Sequence, residues 1–377
     1  MRFELREEQA QIREMVRSLA RKEFAPKAAE IDEQVRYPAE NLRRLGELGL
    51  LGMLVPASYG GSETGAVAYA VALAEVAAGC ASTAVGMAVT NMVGDGIHRF
   101  GTEEQKHRFL PLLASGAATG AFALTEPSAG SDAFGISTSA VRDGETYVLN
   151  GSKAFITNGT RAGVTIVMAV TEKEPKKRIG AFLVEPGMPG FSIGKAEHKM
   201  GLKGSDTVSL SFDDCRVPVR NRLGEEGEGF AVAMSALDGG RIGIAAQSVG
   251  IARAALEAAT SYARERRQFG QPLAGFQAIQ GMLADSATEL DAAFLLALRA
   301  AYRKETGASY TREASVAKVF ASEAAYRACH RSVQIFGGYG YIREYPVERH
   351  LRDIKVTSIY EGTSEIQRIV IARNLLR

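Results

Sequence analysis

Thr207-Val208-Ser209-Leu210-Ser211-Phe212 alternates polar and apolar side chains. A period of two puts Val208, Leu210 and Phe212 on a packed face, with the hydroxyls toward water or a hydroxyl-lined cleft. The stretch reads as a strand, and other strand-like segments gather upstream of it. Val164 to Val170 and Ala181 to Val184 are rich in β-formers. Tyr147-Val148-Leu149-Asn150-Gly151-Ser152 offers an Asn-Gly hairpin turn between two strand-like pieces. Residues 118 to 222 are therefore expected to form a middle β domain, a small sandwich or barrel.

On both sides the period changes to that of a helix. Upstream, Ile12, Val16, Leu19 and Ala20 recur among charges as on a surface helix, until Pro26. Residues 38 to 48 repeat the pattern with Leu42, Leu45 and Leu48 behind Pro38. After a Gly- and Pro-rich connection, residues 66 to 99 are apolar almost all round, which suits helices buried in a core or a subunit interface. Glu103 to Ala114 adds a short helix. Downstream, residues 230 to 267, 276 to 305, 312 to 336 and 364 to 376 read as four helices joined by short breaks, an up-and-down bundle. The expected architecture is α+β and multidomain: an all-α N-terminal domain (1–117), a middle β domain (118–222) and a C-terminal four-helix bundle (223–377).

Composition narrows the function. The 377 residues are 46% apolar and 23% charged, as in a globular protein of two or three domains. With 45 basic and 43 acidic side chains the formal charge is +2, which makes no case for nucleic acid or an anionic membrane. Cys80, Cys215 and Cys329 lie far apart with no CxxC, so neither a zinc site nor a disulfide framework is signalled, and a reducing compartment fits. The charged start lacks the features of a signal or transit peptide, so a cytoplasmic location is expected. Val76 to Gly94 nearly matches a membrane span in length, but its Ala, Gly, Ser, Thr and Asn content reads as buried helix.

Four segments suit chemistry, each with a plainer reading. Ile359-Tyr360-Glu361-Gly362-Thr363-Ser364 sets a carboxylate and a glycine before a helix whose Ser364 and Gln367 have capping-box spacing. An acid favouring the helix dipole explains Glu361 as well. Leu124-Thr125-Glu126-Pro127-Ser128-Ala129-Gly130-Ser131-Asp132 is a loop able to present N–H groups and hydroxyls to a polar ring or phosphate, or simply a domain linker. Phe155-Ile156-Thr157-Asn158-Gly159 suits packing on a flat cofactor, or a core Phe followed by a turn. Gln334-Ile335-Phe336-Gly337-Gly338-Tyr339-Gly340-Tyr341 follows a helix, so it lacks the context of a Rossmann fingerprint, and a glycine helix stop accounts for it.

Taken together, the loop 123–135, the glycine segment 334–353 with Glu344, Arg349 and Asp353, and Ile359 to Arg368 resemble the acyl-CoA dehydrogenase family across essentially the whole chain. Asp238-Gly239-Gly240-Arg241-Ile242-Gly243 and Glu361 to Gln367 look most like short-chain, butyryl-CoA type members. The resemblance implies bound FAD and α,β-dehydrogenation of an acyl-CoA thioester to the trans-2-enoyl-CoA, with short- to medium-chain substrates. Glu361 matches the family's α-proton base, and its own backbone N–H would polarise the thioester carbonyl. Phe122, Leu124, Thr125, Gly130 and Ser131 would line the flavin, Phe155, Ile156 and Thr157 would cover its ring, and Thr363 and Glu365 would complete the site. Family members often have tryptophan where this chain has Phe155.

Arg266, Gln268, Phe269, Gln277, Gln334, Ile335, Gly337 and Gly338 would reach the FAD of a neighbouring subunit in a homotetramer. Ser131, Asp238, Arg241, Tyr360 and Gly362 would meet substrate; a structural salt bridge is the plainer role for Arg241. Some members carry their base at the position of Gly240, which has no side chain, so the match falls on Glu361 and not on the isovaleryl type. An electron-transfer flavoprotein is the implied acceptor. An acyl-CoA oxidase using O2, or a non-catalytic flavin-binding scaffold or DNA-binding relative, remain as alternatives; no metal is implied.

Overall fold

The computed structural model describes residues 4–376. Six helices come first: α1 (Glu7–Leu19), α2 (Ala28–Glu33), α3 (Ala39–Glu47), α4 (Gly65–Gly79), α5 (Ala81–Phe100) and α6 (Glu103–Ala114). α1 buries Val16 and Leu19 and runs on through a widened turn, Ala20–Phe24, to Pro26. α4 and α5 are buried on nearly every side, as their uniform apolarity requires. Cys80 is extended (φ −155°, ψ 107°) and breaks the long apolar run into these two helices. Among the described residues no helix is long and apolar enough to cross a membrane.

The middle of the chain gives eight strands: β1 (Thr119–Ala123), β2 (Ser139–Asp143), β3 (Thr146–Thr157), β4 (Ala162–Glu172), β5 (Arg178–Val184), β6 (Phe191–Ala196), β7 (Thr207–Pro218) and β8 (Arg222–Leu223). The expected sandwich or barrel resolves into one hydrogen-bonded network in the order β6-β7-β3-β2-β4-β5-β8, with β1 paired parallel to β4. Val208, Leu210 and Phe212 of β7 point into its core beside Leu149, Val167 and Phe182, as the alternation required.

One local reading is corrected. Asn150-Gly151 is no hairpin turn: β3 passes straight through it, and the turn is at Gly144 (φ +59°), between Asp143 and Thr146. At Asn150 the register against β7 slips, from Leu149 opposite Cys215 to Gly151 opposite Phe212, so the glycine serves a β-bulge. The Asn150 side chain holds this irregularity by donating to Asp214 Oδ1 (3.0 Å) and accepting from Asp214 N–H (2.9 Å). Long-range pairing with the twelve-residue β7 thus outweighs the local turn preference.

The remainder is helical: α7 (Gly229–Glu265), a two-strand ribbon of β9 (Arg267–Gln268) and β10 (Gln271–Pro272), then α8 (Gln277–Glu305), α9 (Thr311–Phe336), α10 (Val347–Ile354) and α11 (Ser364–Leu375). The four expected helices are present; α10, short and opened by Pro346, is an addition. α7 lies across α4 with glycines at the crossing. A Cβ on Gly250 would collide with the Ala74 carbonyl and sit 2.8 Å from Ala77 Cβ, and one on Gly243 would sit 2.7 Å from the Tyr69 hydroxyl. This close approach joins the first and last helical regions around the site. Gly250→Ala is therefore expected to cost about 1–3 kcal/mol through overpacking, read as a lower denaturation midpoint.

Candidate active site

The segment before α11 departs from its expected capping. Thr363 is the N-cap: it is extended (φ −60°, ψ 164°) and its Oγ1 accepts from Ile366 N–H at 3.3 Å. Ser364 already belongs to the helix. Gln367 turns back instead, and its Nε2 donates to the carbonyls of Glu361 (3.2 Å) and Gly362 (2.9 Å). Those carbonyls face α11 because two consecutive residues are left-handed, Glu361 at φ +55° and Gly362 at φ +89°.

This turn points the Glu361 carboxyl at α7. A Cβ on Gly240 would overlap Oε2 and lie 2.8 Å from Cδ, so the glycine makes room for the acid. The residue as a whole is half-buried, but Oε2 is cut off from solvent and has no hydrogen-bond partner. Burial pushes the carboxyl up to about 7, although Arg241 and Lys318 pull it down. The Glu361 N–H also makes no hydrogen bond among the described residues. An unshared carboxyl and a free donor at one turn can take a proton and polarise a carbonyl.

Around it, Arg241 is buried (4% exposed) and binds Asp238 Oδ1 at 2.6 Å, while Asp238 Oδ2 accepts from Thr311 Oγ1 at 2.5 Å. Arg241 is thus both a structural tie from α7 to α9 and a charge near Glu361. The Tyr360 hydroxyl donates to Gln247 Oε1 at 2.6 Å and faces α7, which leaves the ring and not the hydroxyl for a neighbouring ligand. Asp95 and Lys304 pair at 2.8 Å beside Gly239.

β1 and β3 bring the second group together. Ala154 N–H donates to the Thr125 carbonyl (2.9 Å), which stitches the loop after β1 to the end of β3. Beneath, Lys153 and Glu126 form a buried ion pair (2.7 Å). Lys153 also donates to the Leu124 carbonyl (3.1 Å), and Glu126 accepts from Ser137 N–H (2.7 Å), Ser137 Oγ (2.8 Å) and Thr138 N–H (3.0 Å). Despite its own burial, these donors hold Glu126 down at about 2; burial draws Lys153 down to about 8, and both are charged at neutral pH.

Phe155, two residues on, is left-handed (φ +58°) and 65% exposed. The reading of Phe155 as a core residue is therefore overturned: a register shift between Lys153 and Ile156 flips its ring outward. Ile156 points into the β core, so only its backbone is available to a ligand. Asn158 (φ +63°) is buried and donates to the carbonyls of Gly86 (3.3 Å) and Gly120 (3.0 Å), tying this strand end to α5. Gly130 and Ser131 are exposed, Thr125, Phe122 and Thr157 half-buried, and Leu124 buried. Leu124, Ala129 and Tyr360 pack on the same hydrophobic core, which links this loop to the Glu361 turn.

A third group lies apart. A cavity of about 620 Å³ is lined by Arg266, Gln268, Gln334, Gly337, Gly338 and Tyr339, with the Arg266 guanidinium 5.5 Å above the Tyr339 ring. Ile335 also lines it, whereas Phe269 (94% exposed) and Gln277 stand on the surface nearby. Nothing from the loop 122–131, Phe155–Thr157 or the Glu361 turn reaches this cavity. Thr363 and Glu365 sit at the start of α11, with Glu365 exposed. No cluster of metal-ligating side chains occurs among the described residues.

Three family profiles account for the chain in order: acyl-CoA dehydrogenase N-terminal domain over residues 6–117, middle domain over 121–215 and C-terminal domain over 227–376. The chain belongs to the acyl-CoA dehydrogenase family. It is 46% identical over 379 residues to the short-chain specific acyl-CoA dehydrogenase of Clostridium acetobutylicum, with 100% of both chains covered. The butyryl-CoA dehydrogenase of Megasphaera elsdenii superposes with a TM-score of 0.98 at 46% identity, again over 100% of both chains. A chain in the structure of the electron transferring flavoprotein of Acidaminococcus fermentans matches equally, with a TM-score of 0.98, 46% identity and 100% of both covered. The expected family and its α, β, α fold are thereby borne out.

Several residues of this acyl-CoA dehydrogenase site escaped the sequence reading: Lys153, Glu126 as an ion-pair partner, Gln247, Gln367 as a backbone anchor, and Lys318. Lys318 alone carried a usable signal, because it falls on the stripe of α9 that Ala314, Ala317, Ala321 and Ala325 otherwise fill. Breaking a buried pair strands a charge. Lys153→Met should therefore lower stability by about 3–5 kcal/mol, measured by denaturant unfolding, and the double variant with Glu126→Gln should recover much of the loss.

Proposed function

We propose that this chain is an FAD-dependent dehydrogenase of short acyl-CoA thioesters, forming the trans-2-enoyl-CoA with Glu361 as the base. The observation that carries the reading is the Glu361 carboxyl: its Oε2 is shut off from solvent with no hydrogen-bond partner among the described residues, it is raised to about 7, and it lodges against a glycine that leaves it room. A carboxyl of that kind is poised for proton transfer near neutral pH. The kinship with short-chain and butyryl-CoA dehydrogenases supports the substrate class.

In this reading the acyl chain lies between α5, α7 and the Glu361 turn, and its α-carbon faces the carboxylate. Glu361 takes the α-proton while its own N–H, free of other partners, holds the thioester oxygen as negative charge develops there. Bound acyl chain excludes water, which keeps the carboxylate basic. FAD supplies a two-electron acceptor for the hydride leaving the β-carbon. The residues fit that group: Phe155 offers an exposed ring at the strand end, Thr125, Ser131 and Thr157 are accessible and carry hydroxyls, and Gly130, Gly337 and Gly338 have open space where a Cβ would stand.

Arg266, Gln268, Gln334, Gly337 and Gly338 would hold the diphosphate end. In one chain they line a cavity separate from the Phe155 strand end, which suits a site that a second copy would complete, as in a homotetramer of two dimers. An electron-transfer flavoprotein is the proposed acceptor, in keeping with the flavoprotein structure to which the chain is similar. Three buried free thiols suit a reducing compartment such as the cytoplasm.

Anaerobic butyryl-CoA should bleach the yellow protein, which separates the enzyme from a non-catalytic relative. Glu361→Gln should keep flavin and substrate binding yet lose flavin reduction by at least ~10²-fold, the low end of what a general base contributes. Reduction near the parent rate in that variant would remove Glu361 as the base. For the parent, the carboxylate is the active form, so the rate should rise with pH through about 7.

A further inference from the structure

Lys318 lies on the inward stripe of α9, fully buried among Ala314, Ala317 and Ala321. A buried ammonium is costly unless an anion and hydrogen bonds compensate it. Lys153, buried to the same degree, has Glu126 at 2.7 Å. Lys318 makes no ion pair among the described residues, and its one hydrogen bond goes to the Gly362 carbonyl, at 2.6 Å. A buried cation spent on a neutral carbonyl needs a reason, and that carbonyl lies one residue beyond Glu361.

The turn it touches needs holding. A non-glycine residue in the left-handed region is strained by its Cβ, and it persists only where its surroundings over-determine it. Glu361 is in that region and Gly362 follows in it. The N–H groups of both make no hydrogen bond among the described residues, so the turn is anchored through its carbonyls, by Gln367 from α11 and by Lys318 from α9.

The charges facing Glu361 give the second part. Two cations act on Glu361: Arg241 from α7, the stronger, already matched by Asp238 at 2.6 Å, and Lys318 from α9. α4 contributes Tyr69, whose burial keeps it neutral, α11 contributes the exposed Glu365, and Tyr360 gives its hydroxyl to Gln247. Of the two cations Lys318 is the one that makes no ion pair among the described residues; the acids it faces are Glu361 itself, the exposed Glu365, and Glu323, which Arg368 holds at 2.6 Å.

We propose that Lys318 is the positioning residue for proton abstraction: its ammonium clamps the Gly362 carbonyl, fixes the left-handed turn, and is the uncompensated positive charge that favours ionised Glu361. This rests on the reading of Glu361 as the base. Burial holds Lys318 down at about 8 while Glu361 stands at about 7. The carboxylate forms as pH rises through the lower value, and the ammonium is lost as pH rises through the upper one, so the competent state lies between.

The test is the pH profile of flavin reduction by butyryl-CoA in single turnover, on flavin-loaded protein. Lys318→Met and Lys318→Gln should move the acid limb up by about one pH unit, equivalent to ~1.4 kcal/mol between the two protonation states, and remove the alkaline limb. Lys318→Arg keeps a charge that does not titrate in this range. It should hold the acid limb near its parent position and push the alkaline limb out of range. A neutral variant that binds flavin with an unmoved acid limb would overturn the proposal and leave Lys318 a packing residue. Should neither neutral variant fold, an alkaline limb persisting in Lys318→Arg would overturn it equally. Failure of the underlying reading shows separately, as undiminished flavin reduction in Glu361→Gln.

Discussion

One carboxylate oxygen held out of water, with no hydrogen-bond donor among the described residues, is the constraint from which the rest of the site follows. Leaving an ionised acid unsatisfied in a protein interior is costly, so its proton affinity rises and its surroundings must answer its charge from a distance. Glu361 meets both conditions. The space for it comes from Gly240, a residue without a side chain in the middle of a 37-residue helix, where glycine is otherwise unfavourable. The charge that answers it comes from α7 and α9. The helix crossing that brings α4 against α7, backbone to backbone at Gly250, fixes the wall on which the carboxyl rests.

Strained backbone recurs at the segments that carry the site. Phe155, Asn158 and Glu361 are all left-handed without being glycine, and each is tied down from a different element: Asn158 by carbonyls of α5 and β1, Glu361 by Gln367 and Lys318, and the strand under Phe155 by the Lys153–Glu126 pair. Strain of this sort is stable only where packing over-determines it. In the proposed reaction these turns present an exposed aromatic ring and a base. The separate cavity around Arg266 and Gly337 shares none of its lining with the Glu361 turn or the Phe155 strand end.

Two of the plainer readings hold alongside the functional one. Arg241 is a salt-bridge residue and also a charge beside the acid. Gly337 does end α9, at φ +60°, and it also opens a cavity. Asn150-Gly151 and Ser364/Gln367 misled, because their local preferences met longer-range demands: a full-length partner for β7 in the first case, and two inward-facing carbonyls in need of a donor in the second.

Periodicity alone was enough to separate helix from strand along the chain, because alternation in β7 and the 3.6-residue repeat on either side follow from which face each element buries. The residue types at Glu361, Gly362 and the loop 123–135 likewise marked the site, since a proton acceptor and close backbone approach demand those types. What tertiary structure alone decided was how charges pair and which way strained residues turn. Lys153 finds Glu126, and Lys318 finds the Gly362 carbonyl, across 27 and 44 residues of chain. Phe155 turns outward because of a register shift set by β7. Such pairings depend on three-dimensional distance and burial, and neither is written in the order of the residues.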